Sequence, residues 1–200
     1  PLRLVGSEMC IRDRLRNKLV AELIKKGIKD LSVLDAISKV PRHMFMDSSF
    51  IDHAYQDKAF PISSGQTISQ PYTVAFQSQL LQIEKGDKIL EIGTGSGYQA
   101  AVLCEMGVKL YTIERIRELY RKTSVFLHSI NYYPKKMIYG DGYQGYLDES
   151  PYDGIIVTAG ATEVPKNLLS QLKLNGKMVI PLGDEVQKTV SYTHLRAHET

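Results

Sequence analysis

The sequence predicts an α/β fold in which helices cover both faces of a mostly parallel β-sheet. From Lys88 onward, short runs rich in Ile, Leu and Val alternate with longer segments of helical periodicity. This alternation is typical of parallel strands joined by right-handed crossovers. The first run ends in a turn with three glycines, and acidic residues stand on or just after the first three runs. Because ligands of such sheets bind beyond the carboxyl ends of the strands, both features indicate one binding edge.

The individual elements follow from the hydrophobic period and from the turn residues. Strands are expected at Lys88–Ile92, Lys109–Ile113, Lys136–Tyr139, Asp153–Val157 and Lys177–Pro181. Between the strands, helices are expected at Tyr98–Met106, from just after Glu114 to about Ile130, and from near Pro165. Ahead of the sheet, helices are expected at about 15–27, at about 32–40 and at Tyr72–Ile83, with an irregular, aromatic-rich layer over Arg42–Ser64.

Composition excludes several classes of function. The 200 residues carry a net charge of +3, which favours neither nucleic acid nor an anionic membrane as a partner. No apolar run reaches the roughly 18 residues of a membrane span, and no signal peptide is visible. The histidines show no metal-ligand spacing, so we expect no metal site. Cys104, among apolar neighbours, is expected to be a core residue, and so few cysteines favour a reducing, cytoplasmic setting.

Both ends of the chain differ from the rest. Residues 1–14 and 190–200 resemble translations of the two strands of a sequencing adapter. We therefore expect both to be non-native and exclude them from the fold prediction, the alternative being a natural extension at each end. The last strands of the sheet are then expected to be missing, so that Lys177–Pro181 leaves an unpaired apolar edge. Residues 194–200 are expected to be disordered or to lie loosely on the surface.

The glycine turn predicts a nucleotide-like ligand. Gly93, Gly95 and Gly97 allow backbone N–H groups to approach a ligand at the start of a helix. The dinucleotide fingerprint requires its third glycine at Tyr98, and Glu91 beside the turn suits a cationic ligand better than a phosphate. The stretch resembles the first motif of class I S-adenosylmethionine-dependent methyltransferases, whose ligand carries an amino acid and a sulfonium. The cofactor-binding candidates from this stretch are Glu91, Gly93, Thr94, Gly95, Ser96 and Gly97.

The next two strands contribute further candidates for the same site. Glu114 ends the second strand, and its two oxygens match a vicinal ribose diol. After the third strand, Asp141 could accept from the adenine amine, and the Gly142 N–H could donate to a ring nitrogen. NAD remains the rival cofactor because an acid at the Glu114 position also binds ribose there. Tyr98 and the absence of an obvious hydride-transfer apparatus argue against NAD.

Motifs along the whole segment 15–189 resemble one family, the protein-L-isoaspartate (D-aspartate) O-methyltransferases. The matching stretches are Val40–Phe45, Gly65–Pro71, Leu90–Gln99, Ile113–Arg115, Gly140–Gly142 and Ile155–Ala159. The resemblance implies a Rossmann-like class I methyltransferase fold. It also implies transfer of a methyl group from S-adenosylmethionine to the α-carboxyl of L-isoaspartyl residues in damaged proteins, with S-adenosylhomocysteine as the product. It adds Arg115 to the cofactor-binding residues and implies a monomer.

Gly65–Pro71 is the most specific of these motifs because other methyltransferases lack it. Composition by itself favours Ser69 as a capping hydroxyl of the following helix, whereas the resemblance makes Ser69 the active-site residue. Candidate walls of the peptide site are Thr67, Ile68, Val157, Thr158 and Ala159.

The resemblance also divides the chain by role. Segment 15–83 carries the N-terminal helices and the substrate loop, and segment 84–189 forms the S-adenosylmethionine-binding core of the same domain. Three alternatives stay open: another class I methyltransferase, a non-catalytic cofactor-binding protein and an inactive truncated fragment. A nucleic-acid amine methyltransferase is disfavoured, because Val157-Thr158-Ala159-Gly160 stands where an Asn/Asp-Pro-Pro-aromatic box is expected.

Overall fold

The computed structural model describes residues 2–183 and 188–195 and contains a six-stranded central sheet beside a small hairpin. The strands are β1 (Phe60–Pro61), β2 (Thr67–Ile68), β3 (Lys88–Ile92), β4 (Lys109–Glu114), β5 (Lys136–Tyr139), β6 (Tyr152–Val157), β7 (Leu172–Leu182) and β8 (Lys188–Thr193). β1 and β2 form the antiparallel hairpin, and the central sheet has the order β5-β4-β3-β6-β7-β8. β3 to β7 pair in parallel, while β8 is antiparallel to β7. The prediction of a mostly parallel sheet is confirmed.

Six α-helices accompany the strands in the described chain. They are α1 (Leu2–Lys25), α2 (Leu31–Lys39), α3 (Pro71–Leu81), α4 (Tyr98–Glu105), α5 (Arg117–Ser129) and α6 (Lys166–Leu169). α1 begins at Leu2, so the helix expected near residue 15 continues back through the excluded N-terminal segment. None of the described helices is long and apolar enough to cross a membrane.

The predicted unpaired edge at Lys177–Pro181 is wrong. Lys188–Thr193 pairs antiparallel with Lys177–Leu182 over six residue pairs, among them Met178 with Tyr192 and Ile180 with Val190. This segment is rich in Thr, Val and Tyr, which suit a strand, and Tyr192 packs against the core on one face of the sheet. The prediction contains no strand here because it treats residues 190–200 as non-native.

The tail is anchored at its start. His194 N–H donates to Gly176 O at 2.9 Å, and Asn175 N–H donates to His194 O at 2.7 Å. The expectation of a loosely held tail is therefore wrong for His194, and residues 196–200 lie outside the described residues.

A buried arginine fastens the N-terminal layer to the sheet domain. Arg42 is 0% exposed, and its guanidinium carbon lies 4.6 Å from the centroid of the Tyr98 ring at the start of α4. Its Nη2 donates to Lys58 O at 3.2 Å. Because a desolvated cation over an aromatic face is stabilising, this contact holds the segment that precedes α3 against the glycine turn.

Candidate functional site

A cavity of about 680 Å³ opens at the carboxyl ends of β3, β4 and β6. This is the edge that the parallel topology predicts for a ligand, and the volume suits a nucleoside-sized molecule. Most of the predicted site residues line it, namely Thr67, Ser69, Gly93, Thr94, Gly95, Ser96, Glu114, Arg115, Asp141, Gly142, Val157, Thr158 and Ala159. Three predicted residues, Ile68, Glu91 and Gly97, are not part of its lining.

The three glycines of the turn have different structural roles. All adopt left-handed backbone angles, with φ of 95° at Gly93, 53° at Gly95 and 85° at Gly97. A Cβ on Gly93 would lie 2.6 Å from Thr158 Oγ1, and one on Gly97 would lie 2.7 Å from Thr123 Cγ2. A Cβ on Gly95 would meet no protein atom within 4 Å. Gly93 and Gly97 therefore permit close packing, while Gly95 leaves space where the turn borders the cavity.

Glu114 bridges the glycine turn and the start of α5. Its Oε2 accepts a hydrogen bond of 2.8 Å from Gly95 N–H, and its Oε1 accepts one of 2.8 Å from Ile116 N–H. Each carboxylate oxygen has two acceptor sites, so one site on each oxygen remains for a ligand. Glu114 is only 4% exposed, so these two acceptor sites are largely shielded from solvent.

Asp141 and Gly142 form the rim of the cavity after β5. Asp141 Oδ1 accepts a hydrogen bond of 3.0 Å from Tyr143 N–H, which orients the short turn that follows. A Cβ on Gly142 would lie 2.3 Å from Ile92 Cγ2. Only glycine therefore lets the backbone pass this close to the end of β3.

The structure places the Glu91 side chain in the core and not in the lining of the cavity, and its contact with the cofactor stays a prediction. Successive side chains of a strand alternate between faces, and Glu91 shares the interior face of Ile89, with 0% exposure. Thr112 Oγ1 donates to Glu91 Oε2 at 2.6 Å, and the Thr94 hydroxyl lies 2.6 Å from that of Thr112. Burial raises the pKa of Glu91 to about 8, against the hydrogen bond from Thr112 and with a smaller contribution from Glu114. Glu91 is thus mainly protonated at neutral pH and supports the turn from inside the core.

Ser69 lines the cavity, and its hydroxyl is not used as a helix cap. The N-cap of α3 is Gln70, and no N-cap side chain bonds to the helix. Asp57 Oδ1 instead accepts a hydrogen bond of 2.7 Å from Tyr72 N–H in the first turn. Within the described chain, Ser69 Oγ has no protein hydrogen-bond partner. The composition-based interpretation of Ser69 as a cap is therefore wrong.

The side chain of Ile68 is turned away from the cavity by the hairpin. Thr67 lies on the exposed side of β2, whereas Ile68 is 1% exposed and belongs to the core. Ile68 therefore lies outside the lining of the cavity, and its role as a wall of the peptide site stays a prediction. The alternation of exposed and buried side chains in a strand is the signal that would have separated the two residues.

Several lining residues were missed by the sequence prediction. They include Gln66, Val74, Tyr98, Gln99, Tyr143 and Glu163. Tyr143 and Glu163 follow β5 and β6, and the Tyr143 hydroxyl donates to Glu163 Oε1 at 3.3 Å across the rim. Their position after a strand end was a usable signal, but their mutual contact depends on the order of the strands in the sheet.

Comparison with known proteins identifies the family. The family model described as protein-L-isoaspartate(D-aspartate) O-methyltransferase matches residues 14–199. The protein-L-isoaspartate O-methyltransferase of Christiangramia forsetii is 62% identical over 184 residues, which are 92% of this chain and 86% of that protein. The one of Flavobacterium johnsoniae is 61% identical over 173 residues, 86% of this chain and 81% of that protein. The chain belongs to the protein-L-isoaspartate O-methyltransferase family.

Solved structures agree with membership of the protein-L-isoaspartate O-methyltransferase family. One structure of such an enzyme has a TM-score of 0.81 and 29% identity, and the match spans 90% of this chain and 60% of that chain. A putative member from Plasmodium falciparum, in complex with S-adenosyl-L-homocysteine, has a TM-score of 0.73 over 90% of this chain and 95% of that chain. At 22% identity, the second structure shows the shared fold. The predicted Rossmann-like fold, the predicted family and the class of S-adenosylmethionine-dependent methyltransferase are confirmed.

Proposed function

We propose that this chain transfers a methyl group from S-adenosylmethionine to the α-carboxyl of L-isoaspartyl residues in damaged proteins and peptides. The proposal rests on one observation: Ser69 lines the cavity, and its hydroxyl has no protein hydrogen-bond partner in the described chain. The glycine turn and Glu114 line the same cavity. In this arrangement, segment 15–83 supplies the acceptor side of the site and segment 84–189 supplies the cofactor side.

The lining residues fit S-adenosylmethionine. Glu114 retains two acceptor sites for the ribose hydroxyls, beside its bonds to Gly95 and Ile116. Asp141 and Gly142 border the same cavity at the end of β5, where the adenine ring would lie with its amine toward Asp141. The open space at Gly95 allows close approach of the remaining part of the cofactor. Arg115 and Ser96 complete this wall.

The reaction requires positioning rather than proton transfer. Bound S-adenosylmethionine supplies an electrophilic methyl group on its sulfonium. The accepting carboxylate is already ionised at neutral pH, because the ordinary pKa of such a group is about 4. The protein must therefore hold donor and acceptor in line at about 3 Å and exclude water, which together lower a barrier by several kcal/mol.

Ser69 is assigned to the alignment of the acceptor. A hydroxyl without a protein partner can donate one hydrogen bond to an isoaspartyl carboxylate and so aim it at the methyl group. Thr67 borders the cavity next to it, and Val157, Thr158 and Ala159 line the opposite rim. The single hydroxyl proton of Thr158 is shared between Ile92 O, 3.0 Å from Oγ1, and Gly93 O, 2.6 Å from Oγ1. This rim is therefore preorganised and can form a rigid wall for the peptide.

The proposal extends to the assembly and setting of the protein. We propose that the chain acts as a monomer in the cytoplasm and takes proteins rather than nucleic acid as substrates. The net charge of +3 supports proteins rather than nucleic acid as substrates, because a site for a polyanion would need a more basic surface. Sedimentation of the pure chain, with and without a duplex DNA probe, tests the monomeric state and the lack of nucleic-acid binding.

The decisive experiment compares an isoaspartyl peptide with the same peptide carrying normal aspartate. The wild-type chain should methylate only the isoaspartyl peptide. Ser69→Ala should lower kcat/KM for it by about 1–3 kcal/mol, the free energy of one such hydrogen bond, while the Kd for S-adenosylhomocysteine stays unchanged. Ser129→Ala removes a hydroxyl that only donates to Phe126 O on an exposed helix and serves as the matched control. Wild-type chain that binds S-adenosylhomocysteine but methylates neither peptide would overturn the proposal.

A further inference from the structure

Asp57 does not line the cavity, yet it is bonded to the segment that carries Ser69. Its Oδ1 accepts from Tyr72 N–H at 2.7 Å, and its Oδ2 accepts from Gln70 Nε2 at 3.0 Å. The same Gln70 Nε2 also donates to the backbone oxygen of Asp57 at 3.1 Å. Asp57 therefore holds Gln70 and Tyr72, the residues on either side of Pro71, and Gln70 directly follows Ser69.

The Asp57 carboxylate is ionised and fixed by a lysine from another element. Its side chain is 5% exposed and forms an ion pair with Lys26 just after α1. Burial alone would raise the pKa of Asp57, but hydrogen bonds from Lys26, Tyr72 and Gln70 hold it below its ordinary value. The Lys26 ammonium also lies 5.7 Å from the centroid of the Tyr72 ring. The helix α1, the loop at Asp57 and the start of α3 thus meet at a single charged group.

The sequence around Ser69 explains why this outside support is needed. Pro71 has no N–H, so the first N–H of α3 that can be capped belongs to Tyr72. Gln70, at the N-cap position, makes no capping bond. On its other side, Ser69 follows β2, whose Thr67 and Ile68 are paired with Pro61 and Phe60. Ser69 therefore lies in a short connection between the hairpin and a helix start that Asp57 holds in place.

We propose that Asp57 is a positioning residue of this enzyme, which acts through Gln70 and Tyr72 to hold the Ser69 hydroxyl toward the accepting carboxylate. The inference rests on the proposed function. Asp57 does not line the cavity, so its loss should change the alignment of the acceptor and leave the cofactor site intact.

The test is a double-mutant cycle with a matched control. Asp57→Asn keeps one acceptor for Tyr72 N–H but places amide donors against Gln70 and Lys26. Asp153→Asn is the control, because Asp153 also pairs with one lysine, Lys173 at 2.6 Å, and accepts from one backbone N–H, that of Lys88 at 2.8 Å. Asp153 does not line the cavity. Calorimetry with S-adenosylhomocysteine measures the concentration of binding-competent protein in each preparation. Each kcat is calculated from that concentration, so that unfolded protein does not lower it.

Asp57→Asn should lower kcat for an isoaspartyl peptide about 10- to 100-fold, the size expected for misaligned reactants. The Kd for S-adenosylhomocysteine should not change, and Asp153→Asn should keep the wild-type kcat. In a chain that already carries Ser69→Ala, Asp57→Asn should produce no further loss of kcat. A purely structural role predicts instead that the two losses multiply.

Two results would overturn the inference: a wild-type kcat in Asp57→Asn, or losses that multiply in the double variant. If Asp57→Asn does not fold, the kcat of Gln70→Met tests the inference instead. It removes the side-chain donor without disturbing the ion pair, and a wild-type kcat in it would also overturn the inference. A wild-type chain that does not methylate the isoaspartyl peptide overturns the proposed function together with the inference, whereas methylation combined with either result above overturns the inference only.

Discussion

Gly97 packs directly against Thr123 of α5, so that an added Cβ would lie only 2.7 Å from Thr123 Cγ2. The Thr123 hydroxyl in turn donates to Gly95 O at 2.7 Å. The third glycine of the turn is therefore required by helix packing, while the second borders the cavity.

This difference predicts that alanine at Gly97 mainly lowers stability, whereas alanine at Gly95 mainly lowers cofactor affinity. Gly97→Ala should lower the free energy of unfolding by about 2–4 kcal/mol, because a side chain at φ 85° is strained and overlaps α5. Gly95→Ala meets no protein atom and should cost only about 1–2 kcal/mol of backbone strain, but it should weaken binding of S-adenosylhomocysteine. Urea denaturation and calorimetry measure the two effects. A stable Gly97→Ala variant would contradict the packing argument.

Replacement of Glu114 should weaken cofactor binding. Glu114→Gln leaves one acceptor oxygen for Gly95, Ile116 and the ribose, so affinity for S-adenosylhomocysteine should fall by about 1–3 kcal/mol. Glu118→Gln is the matched control, since Glu118 accepts from Ser64 Oγ and does not line the cavity. Its Kd should stay within about 0.5 kcal/mol of wild type. Equal losses in the two variants would indicate a general effect of charge rather than a bond to the ribose.

The buried Glu91 carboxyl predicts a pH dependence of stability. Its pKa is raised from 4.5 to about 8 in the folded chain, so between these values the folded state binds more protons than the unfolded state. The free energy of unfolding should therefore fall as pH rises from 5 to 8. Glu91→Gln cannot ionise, and its free energy of unfolding relative to wild type should increase by up to a few kcal/mol over that range. Urea titrations at pH 5, 6, 7 and 8 measure the difference, and a difference that does not change with pH would refute the assignment.

The pairing of β8 predicts the effect of shortening the chain. Removal of residues 188–200 exposes the apolar strand β7 as an unpaired edge, which should reduce stability and promote aggregation. A chain that ends at Leu195 keeps β8 and is the control. Thermal melts and light scattering at equal concentration compare the two. Equal melting temperatures and equal scattering would show that β8 contributes nothing to the sheet.

The cofactor edge was the most predictable part of the protein. Its signals are local features of the sequence: the alternation of strands and helices, the glycine turn, and the positions of Glu114 and Asp141 at strand ends. Parallel topology then brings these strand ends to one edge of the sheet. These features led to the fold, and together with the Gly65–Pro71 motif they led to the family. The sequence does not predict β8, because most of this strand lies in residues 190–200, which resemble a translated adapter.

The sequence by itself determined the parallel sheet, the binding edge and the residues that can serve a cofactor there, because each depends on short-range period and spacing. Only the tertiary structure decided which side chains reach the cavity. The side chains of Glu91 and Ile68 are buried in the core, and packing decides which face of a strand a side chain shares with its neighbours. The availability of Ser69 also depends on a distant residue, since Asp57 caps the helix that Ser69 would otherwise be expected to cap.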